Sequence, residues 1–149
     1  MSNRNQTRWH NLDFLKTNLR FSQLGNSTVF QKNGKYFLSP AVSEGKHGKY
    51  WIDIREANLK KVDLKNCFLL PRIVPDLFIL ESIPSLNNLL SKNLMENRAH
   101  SGNVWGIYME LNLSKSSVTL ASKRKSRIKI TTKLIAKKTI IETIRRIYD

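Results

Sequence analysis

The chain is poor in several residue types, and each shortage excludes a class of protein. A single cysteine, Cys67, forbids an intrachain disulfide and points to a reducing compartment. His10, His47 and His100 are scattered and stand near no cysteine or acidic cluster, so the ligand spacing of a zinc site is missing. There is no Gly-rich phosphate loop and no dinucleotide glycine pattern. Apolar runs are far shorter than a membrane span. The first ten residues are polar and hold no apolar signal segment. The resulting expectation is a cytoplasmic chain with no metal, no cofactor and no membrane partner.

Acidic residues are scarce too. Eleven of them stand against 26 lysines and arginines, a net charge of +15. The excess is uneven: +7 over residues 1–65, −1 over 66–113 and +9 over 114–149. A near-neutral, apolar centre is flanked by two cationic ends. This exceeds what solubility needs. Clustered Lys and Arg displace condensed counterions from phosphates, so the implied partner is a polyanion. Nucleic acid fits better than a membrane surface, because no basic amphipathic helix with a clean apolar face dominates. Hydrophobic residues make up 40% of the chain, enough for one packed domain over residues 1–149.

The apolar pattern predicts an α+β fold. A short helix is expected over 11–20, capped by Asn11, with Leu12, Leu15 and Leu19 at helical spacing. Val29 to Leu38 reads as a hairpin turned at Asn33-Gly34, since a type I′ turn needs positive φ at both central residues. Tyr50 to Ile54 reads as a strand with Trp51 and Asp53 on one side, followed by a short helix over 55–62. Asp53 is expected to be structural, accepting from the backbone or an Arg. Pro71 and Pro75 divide the apolar block 67–80 into two short strands, around 68–70 and 77–80. Ser85 opens an expected helix striped by Leu86, Leu89, Leu90 and Leu94. Residues 104–111 form a strand in which Gly106 marks a bulge or a close approach. Residues 117–121 and 127–134 alternate as a hairpin, and Ile140, Ile141, Ile144 and Ile147 line a closing helix.

The count is about seven strands and three to four helices, linked mostly by hairpins. It predicts a strongly bent antiparallel sheet or an open pseudobarrel. Phe68, Leu70, Phe78, Leu80, Leu89, Trp105 and Ile107 should be core. Trp9, Trp51 and Trp105 read as core rather than as stacking platforms, with Trp9 in an exposed basic segment.

Three basic turns carry the candidate binding residues. The first holds Lys32, Asn33 and Lys35. The second, Glu44-Gly45-Lys46-His47-Gly48-Lys49 with Arg55 beyond the strand, is rigid enough to aim Lys46, His47 and Lys49 at base edges. The third is the hairpin with Lys123, Arg124, Lys125, Arg127, Lys129 and Lys133. Its long, flexible cations suit phosphates, and a two-stranded ribbon fits the major groove of B-DNA. Lysines on such a hairpin also serve simply to keep an edge strand from aggregating. Gly106-Ile107-Tyr108 is half of the GIY-YIG nuclease signature, but no second half follows, so the triplet reads as ordinary strand.

Basic loops at K-N-G-K, E-G-K-H-G-K and S-K-R-K-S-R between apolar strands, with a helix after W-I-D-I-R, give residues 29–135 a resemblance. The pattern resembles the B3-like pseudobarrel DNA-recognition domains of prokaryotic restriction proteins of the EcoRII, BfiI and McrB/LlaJI types. The resemblance implies sequence-specific duplex DNA recognition in a restriction-type system. Cleavage would then come from a separate catalytic or motor domain or subunit. Two alternatives stand beside it. Glu44-x-Lys46 has the E-x-K form of Mg²⁺-dependent restriction-type endonucleases, with Asp13 the only acid upstream. An RNA-binding or ribosome-associated protein would carry a similar charge.

Overall fold

The computed structural model describes residues 3–45, 49–73 and 76–148. Among these described residues, three α-helices and fourteen strands in open, unclosed sheets make an α+β architecture of the open-pseudobarrel kind. The helices are α1 (Asn3–Asp13), α2 (Glu56–Leu59) and α3 (Lys137–Tyr148).

A five-stranded sheet is built from β1 (Ser22–Gln23), β2 (Val29–Lys32), β3 (Lys35–Leu38), β6 (Cys67–Leu69) and β9 (Glu81–Ser82), in that order. The second sheet runs β13 (Lys129–Lys133), β12 (Ser117–Ser122), β11 (Gly102–Asn112), β5 (Tyr50–Arg55), β4 (Ser43–Glu44). β10 (Glu96–Arg98) joins this sheet as a sixth strand, on β11. A small third sheet holds β7 (Arg72–Ile73), β8 (Leu77–Phe78) and β14 (Ile135–Ala136). All described pairings are antiparallel except β3 with β6, which departs from the all-antiparallel expectation.

Alternation along the strands separates two cores. Val29 and Leu38 point to one, Phe30 and Phe37 to the other, and β6 divides in the same way, with Cys67 and Leu69 opposite Phe68. The five-stranded sheet is therefore covered on both faces. One face meets Ile52, Ile54, Trp105, Ile107, Val118 and Leu120 of the six-stranded sheet. The other meets Phe14, Leu15 and Leu19 together with Ile140 and Ile144 of α3. Thr132 of β13 donates to the Glu81 carboxylate of β9, a polar tie between the two large sheets. The Trp105 indole N–H donates to Ser91 O at 2.8 Å, so burying that ring leaves no unmet donor.

The hairpin at Asn33-Gly34 has φ of +50° and +78°, the positive pair a type I′ turn demands. Other expectations need correction. The first helix starts at Asn3 and passes into a π-helical turn at Phe14–Asn18. Asn11 is therefore buried inside a helix rather than capping one. The expected helix after Ser85 is a pair of 3₁₀ turns, Ile83–Leu86 and Lys92–Leu94, and its cap is Ser82. Leu86, Leu89 and Leu94 are buried nonetheless. Apolar spacing recorded their burial, while Pro84 and the Asn87-Asn88 pair disfavour a continuous α-helix. Phe68 and Leu80 are only partly buried. No helix among the described residues is long and apolar enough to cross a membrane.

Leu89→Ala should cost roughly 2–5 kcal/mol through cavity formation. Chemical denaturation measures it, and a loss under about 0.5 kcal/mol, the size of a surface change, would show that this segment does not pack. Burial pushes the Cys67 thiol up to about 12. The native thiol should stay unreactive toward an aromatic disulfide reagent near neutral pH and react once the chain is unfolded. Because the folded state holds this proton more tightly, the associated stability is full below about 9 and falls as pH rises toward about 12.

Candidate nucleic-acid interface

Strand alternation leaves the outer face of the six-stranded sheet without a sheet over it. With Ile52 and Ile54 turned inward, β5 sends Trp51, Asp53 and Arg55 outward. With Ile107 and Met109 inward, β11 sends Gly106, Tyr108 and Glu110 outward. The register then lines up Trp51, Tyr108, Ala121 and Lys129 across four strands. Thr131 and Lys133 follow Lys129 on the same face of β13, and both are exposed.

Lys123 is the anchor of this face. Its amide donates to Gly106 O at 3.0 Å. Its methylenes cross Gly106, and its ammonium lies 5.1 Å from the Trp51 ring centre and 5.3 Å from that of Tyr108. A Cβ on Gly106 would collide with Lys123 Cδ. The glycine is thus the close approach its place in the strand suggested, but to a side chain rather than to a backbone. Lys123 is a pinned cation between two aromatic rings, not the flexible phosphate contact expected of it. Trp51 belongs to this outer cluster rather than to the core, Trp105 is core, and Trp9 is 60% exposed.

The loop after Lys123 is ordered by its own hydrogen bonds. The amides of Arg124 and Lys125 donate to Ser122 Oγ at 3.1 and 3.2 Å. The Arg124 guanidinium reaches Met95 O at 3.4 Å. Arg124, Lys125, Arg127, Lys129 and Lys133 are all exposed, and none has an acidic partner among the described residues. No Asp or Glu occurs anywhere between Glu110 and Glu142.

Two acids near this face, Asp53 and Glu96, are neutralised by Arg98, while Glu110 is exposed without an ion pair among the described residues. Arg98 Nη1 meets Asp53 Oδ2 at 2.6 Å, and Arg98 Nη2 meets Glu96 Oε2 at 3.3 Å. The hydrogen bond to Asp53 holds the Arg98 guanidinium above its ordinary pKa. Asp53 therefore plays the structural role its strand position suggested. Glu56 is held below its ordinary value, first by a hydrogen bond from Asn103 and then by Lys60.

Lys32 and Lys35 do not join this cluster. Lys32, Asn33 and Lys35 belong to a hairpin of the five-stranded sheet. Lys32 Nζ donates to Leu19 O at 3.1 Å and Lys35 Nζ to Asn66 Oδ1 at 2.8 Å, so both tie local structure together. Lys46 and His47 lie outside the described residues. Lys49 is exposed, and its carbonyl accepts from the Gly45 amide at 2.7 Å. Lys49 and Arg55 mark opposite ends of β5, and the 123–128 loop is level with the Asp53–Arg55 end. At about 3.3 Å per residue, Lys49 and Asp53 are separated by about 13 Å along the strand. Lys49 and the 123–128 loop therefore lie toward different ends of one sheet. Glu44 is exposed on β4, while the Asp13 carboxylate accepts from Thr17. Among the described residues no group of three His, Cys, Asp or Glu could hold a metal ion.

No protein-family model, no curated protein and no solved structure matches the chain.

The aromatic pair was the part of this site that sequence reasoning missed. The outward turn of Trp51 is readable from alternation, but only the register of β5 on β11 sets Tyr108 beside it. Gly106→Ala should push Lys123 off the rings. The expected readout is a changed tryptophan emission and a destabilisation near the 0.5–1 kcal/mol of an exposed cation–π contact. Unchanged aromatic resonances in the variant would show that Lys123 does not rest there.

Proposed function

We propose that the chain binds duplex DNA through the outer face of the six-stranded sheet, with the β12–β13 hairpin as its main contact. One observation carries the reading: five exposed cations, Arg124, Lys125, Arg127, Lys129 and Lys133, share one edge hairpin without an acidic partner among the described residues. Unpaired clustered cations repel one another unless an anion is supplied. A two-stranded ribbon of this kind fits the major groove, and a pinned Lys123 offers a directed donor where its neighbours offer charge. The binding module itself supplies no cleavage. In a restriction-type system that step belongs to a separate domain or subunit.

A second reading has its own observation. Trp51 and Tyr108 stand side by side on a solvent-facing sheet, and Tyr108 is 40% exposed. Such a pair suits stacking of unpaired bases in single-stranded DNA or RNA.

Fluorescence anisotropy with labelled duplex DNA, single strands and folded RNA, run across a salt series, separates the two. If about six phosphates are neutralised, log K for duplex should fall with log salt at a slope near −5. A slope between 0 and about −1 would rule out backbone-dominated binding. Replacing Arg124, Lys125 and Arg127 with alanine should weaken duplex binding and make the slope shallower by about one unit per lost contact. Preference for single strands that disappears in Tyr108→Ala would favour the stacking reading instead.

A further inference from the structure

The structure holds a cleft at the border of the basic face, lined by none of the β12–β13 hairpin residues. It has a volume of about 530 Å³ and opens between α1, the residues after β1 and the outer end of β5. Three cations line it, Arg8 from α1, Arg55 from β5 and Lys61 after α2. All three are exposed, and none has an acidic or hydrogen-bonding side-chain partner among the described residues. Two acceptors in the lining are orphaned. Asn11 is 5% exposed and its Oδ1 meets no donor, and Asp53 Oδ1 is buried and also unmet. Asp53, the one carboxylate among the described lining residues, is already neutralised by Arg98 at 2.6 Å.

Each half of this lining asks for a different chemical group. Unpaired guanidinium and ammonium side chains lining one cleft suit an anion with several acceptor oxygens, and a phosphate takes charge-assisted hydrogen bonds from both types. Buried acceptors without donors cost free energy until a donor reaches them, and sugar hydroxyls are such donors. The volume is in the range of small-ligand pockets. Among the described residues Phe30 is the only aromatic one in the lining, and it is 1% exposed, so recognition rests on polar contacts rather than on stacking.

We propose that this cleft binds a sugar phosphate, with Arg8, Arg55 and Lys61 on the phosphate and the Asn11 and Asp53 oxygens on sugar hydroxyls. The group can arrive as a free sugar phosphate or nucleotide, or as the phosphorylated end of a strand. No residue of the β12–β13 hairpin lines the site, so it does not depend on duplex binding there.

Isothermal titration of the full chain with ribose 5-phosphate, AMP and inorganic phosphate tests it. Saturable one-to-one binding is expected for the first two, weakened at least about tenfold in Arg55→Ala and in Lys61→Ala, and unchanged in Lys129→Ala. Inorganic phosphate should bind more weakly, because it lacks the hydroxyl donors of the sugar. Both substituted side chains are exposed, and thermal melts of the variants check that the fold is kept. A 5′-phosphorylated oligonucleotide and its unphosphorylated twin assign the source. Tighter binding of the phosphorylated form that depends on Arg55 points to a strand end, and equal binding points to a free ligand. Absence of saturable binding by ribose 5-phosphate and AMP, or binding unaffected by both cleft substitutions, overturns the proposal. Loss of duplex binding in the hairpin variant with ribose 5-phosphate binding intact would leave this site standing alone. The reverse result would leave only the hairpin.

Discussion

β11 has to satisfy two environments at once, and the molecule is arranged around how it does so. Eleven residues long, it pairs with β10, β5 and β12. Its inward side chains Trp105, Ile107 and Met109 sit in the core shared with the five-stranded sheet. Its outward positions Gly106 and Tyr108 set what the solvent face can hold. Slipping its register by one residue would send Trp105 and Ile107 outward and Tyr108 inward. The buried side therefore fixes the exposed side. A binding face on this sheet is a by-product of core packing, which gives it the rigidity that directed contacts need.

Charge is distributed by the same logic. Where acids and bases meet on the outer face, they meet in local pairs, as in Arg98 with Asp53 and Glu96. Elsewhere lysines are spent on structure, as at Lys32 and Lys35. Among the described residues, the cations left without an acidic partner include five on the β12–β13 hairpin and three at the cleft, Arg8, Arg55 and Lys61, while others such as Lys16, Lys65, Lys115 and Arg145 stand exposed elsewhere on the surface. A net charge of +15 therefore overstates the cations free for a partner, and the pairing pattern decides where they stand.

Much of the fold was legible in the residues. Asn33-Gly34 dictated its turn through φ, and period-two alternation gave β5, β11, β12 and β13 their inner and outer sides. Apolar spacing marked Leu86, Leu89 and Leu94 as buried, but not the backbone that buries them. Two 3₁₀ turns can present the same leucines as one helix, and periodicity over ten residues does not distinguish them. Asn11 was misplaced for a related reason. An Asn before a leucine pattern is a common cap, yet a helix that packs on Phe30 and Phe37 can extend past it, because tertiary burial outweighs a local preference.

The candidate sites divide along the same line. The sequence by itself determined that the chain is strongly cationic, that its last third carries an acid-free basic hairpin, and that Trp51 and Asp53 share one side of a strand. Those facts depend on composition and on neighbours within a few residues. Only the tertiary structure decided that Lys123 lies across Gly106 onto Trp51 and Tyr108, that Lys32 and Lys35 are occupied, and that Arg8 and Lys61 share a cleft with Arg55. Each of these joins residues from separate elements. Their meeting is set by strand register and by how the helices cover the sheets, and no local pattern encodes either.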